Sequence, residues 1–153
     1  MPGNVIILNC GSTFLQSLIA TVTEMGYTPI VYPHNATENM VMQINPKALI
    51  ITGSSASVNS KNAPIIDKAI LAQRGVPVLG ICYGMQLMTK MCGGEIKHGG
   101  YQESGATRIL LMEDDIPLFR GFMFADKEQL KREREEGIDS GAGAIVWMSH
   151  NAN

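Results

Sequence analysis

The sequence predicts a three-layer α/β fold, with a mostly parallel central sheet and helices on both faces. Three observations carry this. Short apolar runs set off by glycine or proline recur at 4–10, 27–33, 47–53 and 76–81, as strands buried on both faces do. Segments with helical spacing separate them, and strand–helix–strand alternation calls for crossover connections and a parallel sheet. Finally, 153 residues with 45% apolar and 17% charged content suit one globular domain with a real core.

The elements follow in order. "NVIILNC" (4–10) is a continuous apolar run between glycines. In "TFLQSLIATVTEM" (13–25), Phe14, Leu15, Leu18, Ile19, Val22 and Met25 fall at helical spacing, and Gly26 is the expected stop. "YTPIVYP" (27–33) is a strand with Pro29 and Pro33 marking its limits. "ATENMVMQI" is a short helix with Thr37 as its N-cap, and "KALIITG" (47–53) is a third buried strand. "NAPIIDKAILAQRG" predicts a helix capped by Asn62, with Pro64 in its first turn and Gly75 as its stop. "VPVLGI" (76–81) is the fourth strand, and a helix is expected from Tyr83 to Met91.

Beyond residue 94 the pattern weakens. "ATRILLM" (106–112) and "GAIVWM" (143–148) read as strands. Between them, residues 126–139 hold ten of the 26 charged residues, six acidic and four basic. That segment reads as a solvated helix with i, i+4 pairs leading into a glycine-rich turn, an insertion over 126–143.

The formal net charge of −2 offers no basic surplus for a nucleic-acid grip. Three cysteines, Cys10, Cys82 and Cys92, make no even disulfide framework and favour a reducing, cytoplasmic setting. The first residues show neither a charged leader nor an apolar run long enough for a membrane span, so no membrane partner is expected. No metal site is expected.

Chemistry concentrates in "VPVLGICYGMQLM" (76–88). Gly80-Ile81-Cys82-Tyr83-Gly84 has the form G-x-S-x-G with cysteine as the nucleophile, held on a sharp strand-to-helix turn. The helix after it aims its N-terminal amides and positive dipole end at the sulfur. The Tyr83 backbone N–H is then a natural oxyanion donor. Cys82 and the "TGSSAS" loop (52–57) both fall at the carboxyl edge of the sheet, where such folds place their active groups. The plainer alternative is a buried core cysteine, and Cys10 and Cys92 are read that way.

The segment around Cys82 resembles the nucleophile region of the class I (triad-type) glutamine amidotransferases, in particular the glutaminase part of GMP synthetase. "ILNCGSTF", "VYPHN", "NPKALIITGSSASV" and "AIVWMSH" agree with it in order, so the likeness covers nearly the whole chain. It implies a flavodoxin-like sheet and a cysteine that attacks the side-chain amide of glutamine, releasing ammonia through a glutamyl thioester. The resemblance further implies that Tyr83, with Gly53 and Ser54 of the 53–55 loop, lines the oxyanion hole. Gln86 and Ser12 would help hold glutamine, and Ser149 and His150 its amino-acid end. The ammonia would pass to XMP on an ATP-pyrophosphatase (synthetase) domain or subunit. No cofactor is expected in this domain, because ATP and Mg belong to that partner and no "SGGVDS"-like loop is present.

The chain departs from the family pattern in places. The family's S-G-G-P loop reads Thr52-Gly53-Ser54-Ser55, replacing by serine the glycine expected to turn an amide toward the oxyanion. D-F-G-S-Q-Y reads Asn9-Cys10-Gly11-Ser12-Thr13-Phe14, and M-S-H-G-D reads Met148-Ser149-His150-Asn151-Ala152. The family's histidine and glutamate lie in an F-H-P-E segment downstream of the last residue here, Asn153. His150 aligns with the substrate-binding histidine and has Ala152, not a carboxylate, two residues on. His34 and His98 read as turn and loop residues. The sequence therefore predicts a truncated domain that does not turn glutamine over by itself. A non-catalytic subunit that binds or regulates a synthetase is the alternative, and another cysteine hydrolase of the same architecture is a third reading.

Overall fold

The computed structural model describes residues 3–73, 75–97, 103–110, 118, 135 and 143–150. The chain divides into two compact units, Met1–Lys97 and His98–Asn153.

The first unit alternates strand and helix: β1 (Asn4–Asn9), α1 (Leu15–Glu24), β2 (Thr28–Pro33), α2 (Glu38–Met42), β3 (Ala48–Ile51), α3 (Lys68–Leu71), β4 (Val78–Gly80) and α4 (Tyr83–Met91). All strand pairs are parallel, in the order β2-β1-β3-β4. This is the flavodoxin-like order, with its switch point between β1 and β3. Register sets Leu8 beside Ile51 and Ile51 beside Gly80, so three strand ends finish level at one edge. The prolines of "YTPIVYP" fall in β2, an edge strand, where a missing N–H costs no ladder bond on the open side.

The period of two along the strands sorts the core into two layers. Ile6, Leu8, Leu49 and Ile51 face one way, against Val41 of α2, Ile70 of α3 and Tyr83 and Leu87 of α4. Val5, Ile7 and Ile50 face the other way, against Val22, Leu18 and Ile19 of α1. Helices thus cover both faces, as the sequence predicts.

The stop signals act through their backbones. Gly26 has φ +82, its N–H bonds Thr23 O at 2.9 Å, and the Tyr27 N–H bonds Val22 O at 3.2 Å. After α4, Gly93 (φ +91) repeats the arrangement, bonding Lys90 O at 3.1 Å while the Gly94 N–H reaches Thr89 O at 2.8 Å. Both are Schellman closures, which need a residue at ease in the left-handed region.

The helix expected to start at Asn62 does not. α3 begins only at Lys68, with Asp67 as its N-cap accepting the Ala69 N–H at 3.0 Å. The carbonyls of Pro64 and Ile65 are instead taken by the Tyr83 hydroxyl and by His34 Nδ1–H at 3.0 Å, which commits that stretch to a non-helical path. Thr37 caps α2 as expected, its hydroxyl accepting from Met40 N.

The second unit contains an antiparallel pair, β5 (Glu103–Leu110) and β6 (Gly143–His150), in register from Glu103↔His150 to Leu110↔Gly143. Both strands were expected, although β5 starts three residues before the apolar run at 106–112. His98 and most of the charged 126–143 segment lie outside the described residues. Among the described residues, no helix is long and apolar enough to cross a membrane.

Candidate active site

β4 ends at Gly80 and α4 starts at Tyr83, so the chain reverses within two residues. Cys82 sits at the vertex with φ 51 and ψ −108. Among the described residues, only it and Asn45 combine a side chain with a positive φ. A side chain held there carries backbone strain that its surroundings must sustain, and such strain clusters at functional sites.

The flanking glycines allow the turn to close. A Cβ on Gly80 would come within 2.6 Å of Met85 N and 2.7 Å of Gly84 C. One on Gly84 would overlap the Ile51 carbonyl oxygen and lie 2.9 Å from its carbon. The helix therefore rests directly on the end of β3. The thiol of Cys82 is exposed and makes no capping hydrogen bond. As the first residue of α4, Tyr83 has an N–H with no acceptor inside the helix. Its ring is buried, with the hydroxyl donating to Pro64 O, which fixes the helix start against the core. Burial, and then the neighbouring Cys10, push its phenol up.

Beside Cys82 lies a cavity of about 460 Å³. Its walls come from all three strand ends: Gly11 to Phe14 after β1, Thr52 to Ser55 after β3, and Ile81 with Cys82 after β4. Ser17, Leu18 and Thr21 of α1 complete it. The cavity stands at the switch point of the sheet, where open α/β sheets bind ligands.

The walls are tied by short polar contacts. Asn9 Oδ1 accepts the N–H groups of Gly11 at 2.9 Å and Ser12 at 3.1 Å, and Ser12 Oγ accepts that of Phe14 at 3.1 Å. Ser54 Oγ accepts the Ala56 N–H at 3.2 Å. Thr52, only 1% exposed, accepts the Cys10 N–H on Oγ1 at 2.9 Å and donates to Gly53 O at 3.0 Å.

Of the residues singled out from the sequence, Cys82, Ser12, Gly53 and Ser54 line this cavity together. Gln86 lies one turn into α4, half-buried, with its N–H on Cys82 O at 3.1 Å, and it is not part of the cavity wall. Ser149 and His150 stand in β6, opposite Ser104 and Glu103. Cys10 is buried, as expected, and desolvation pushes its thiol up to about 11. Cys92 was expected to pack but is exposed, because it follows the last turn of α4 where the chain swings into Gly93. The α1 wall was missed. Its signal was available, since positions 14, 17, 18 and 21 share one helical face.

The family model described as Glutamine amidotransferase class-I matches residues 6–151. The chain belongs to the class-I glutamine amidotransferase family. Among its curated relatives, a GMP synthase (glutamine-hydrolyzing) of Lactobacillus delbrueckii subsp. bulgaricus is 35% identical over 146 residues, 95% of this chain and 25% of that one. One of Caldicellulosiruptor saccharolyticus is 38% identical over the same shares. The chain thus spans about a quarter of the length of these relatives. The solved structure of a GMP synthase subunit from Thermoplasma acidophilum covers 99% of this amidotransferase chain, and the match takes in 66% of that protein. Its TM-score is 0.70 at 15% identity, a likeness of fold.

Proposed function

We propose that this chain is the glutaminase module of a GMP synthetase-like enzyme. Cys82 Sγ attacks the side-chain carbonyl carbon of glutamine, and the carbonyl electrons move onto oxygen. Collapse of that tetrahedral species breaks the C–N bond, the proton given up by the thiol ends on the leaving nitrogen so that it departs as ammonia, and a γ-glutamyl thioester remains. Water then cleaves the thioester to glutamate and restores the thiol. On this reading, the Tyr83 N–H and an amide of the Gly53–Ser54 loop receive the oxyanion. Gln86 and Ser12 hold the substrate, in the roles the family resemblance gives them. The ammonia goes to XMP activated by ATP and Mg on a synthetase domain or subunit.

One observation carries the reading. Cys82 occupies a strained vertex between two glycines that have no room for a methyl, and its exposed thiol opens on the cavity at the sheet's switch point. A cysteine kept for packing needs none of this.

The test is intact mass after incubation with acivicin or diazo-oxonorleucine, with Cys82→Ala as control. One equivalent added to the protein and none to the variant is the expected result. A folded protein that takes up no label at Cys82 would sink the glutaminase reading and leave a non-catalytic subunit in its place.

A further inference from the structure

The loop after β3 lacks the glycine that the family pattern places at position 54, yet it is held in one arrangement by Thr52. The hydroxyl of Thr52 is itself anchored, accepting the Cys10 N–H at 2.9 Å, while its proton goes to the carbonyl of Gly53 at 3.0 Å. The backbone of Thr52 is tied to the same flank, with its N–H on Leu8 O at 3.1 Å. Leu8 lies in β1 and Cys10 just after it, on one side of β3, whereas β4, with Cys82 after it, lies on the other side. The Gly53 carbonyl is thus drawn toward the β1 side.

A trans peptide carries its N–H opposite to its carbonyl. The N–H of the Gly53–Ser54 peptide is therefore directed away from the side that Cys10 occupies. Cys82 is close to this loop, since a Cβ built on Gly53 would stand 3.7 Å from Cys82 Cβ. Neither Gly53 nor Ser54 has a positive φ, so serine is accommodated without strain.

We propose that Thr52 is a positioning residue: its hydroxyl holds the Gly53–Ser54 peptide so that the Ser54 N–H serves as the second oxyanion donor. This rests on the glutaminase reading. The hole is then set by a side-chain clamp, and position 54 does not need the conformational freedom of glycine.

The experiment uses the full chain and the γ-aldehyde of glutamine (glutamate γ-semialdehyde). Cys82 adds to this aldehyde reversibly: the Sγ–C bond forms as the C=O π bond opens, the thiol proton balances the oxygen, and nothing leaves. Apparent affinity is read as protection of Cys82 from iodoacetamide, followed by peptide mass. Cyclisation of the free aldehyde is common to all variants and cancels from the ratios. Thr52→Val should weaken protection on the order of tenfold to a hundredfold, Thr52→Ser should stay close to the parent, and the iodoacetamide rate without aldehyde should be unchanged in both. Some loss of stability accompanies Thr52→Val, because the Cys10 N–H loses its acceptor, so melting temperature is not the readout.

Equal protection in Thr52→Val and the parent overturns the role of Thr52 and leaves the glutaminase reading standing. No protection in the parent overturns both. Should Thr52→Val fail to fold, the parent decides: the Ser54 amide resonance must shift downfield when the aldehyde adds, and an unmoved Ser54 signal refutes the proposal.

Discussion

At the scale of single residues, the site depends as much on atoms that are missing as on the thiol. Gly84 is the sharpest case, because an added methyl would meet backbone of β3 that cannot swing aside as a side chain can. Gly84→Ala should therefore cost about 1–3 kcal/mol, as overpacking does, and should also shift α4 off its seat. Urea denaturation gives the first quantity and the rate of glutamine-analogue labelling the second. Unchanged labelling in Gly84→Ala would show that the elbow tolerates a wider turn than the contacts imply. Cys82, Gly80 and Gly84 were legible from the sequence because the motif is local and its geometry follows from its spacing. Thr52 was not legible, since its role depends on an N–H forty-two positions away in the chain.

At the scale of elements, the segment 63–71 shows how a side chain can set where a helix begins. Asp67 accepts the Glu38 N–H at 2.8 Å on one oxygen and the Ala69 N–H at 3.0 Å on the other, joining the starts of α2 and α3. These two bonds, that to Glu38 first, hold its carboxyl below the usual carboxylate range. A carboxyl whose pKa falls on folding contributes stability above its unfolded value and loses it as pH drops through the folded one. The chain should therefore lose part of its stability below about pH 4. Asp67→Asn should lower the urea midpoint at neutral pH and flatten that acid limb. An acid limb as steep in Asp67→Asn as in the parent would show that other carboxylates account for it. The sequence placed this helix five residues too early because Asn62 is also a good cap. Deciding between Asn62 and Asp67 required the hydroxyl of Tyr83 and the ring of His34, which claim the intervening carbonyls from distant parts of the chain.

At the scale of the whole molecule, the alternation of short apolar runs with helical spacing was enough to read the layered sheet, because a strand buried on both faces has little choice of partner. β1 belongs to both layers, with Ile7 and Leu8 fully buried on opposite sides. Ile7→Ala and Leu8→Ala should each cost about 2–5 kcal/mol and should leave a single urea transition by circular dichroism. Two separable transitions would mean that the layers on either side of the sheet melt independently. The pairing of β5 with β6 was not legible, since two apolar runs separated by a charged segment carry no signal of direction.

The backbone at Cys82 has a consequence for descent. Glycine would occupy φ 51 more comfortably than any residue with a side chain. A lineage freed from the chemistry would gain stability by drifting to glycine there, one codon step from cysteine. Holding cysteine at this angle therefore costs stability, and Cys82→Gly should recover it as a higher urea midpoint.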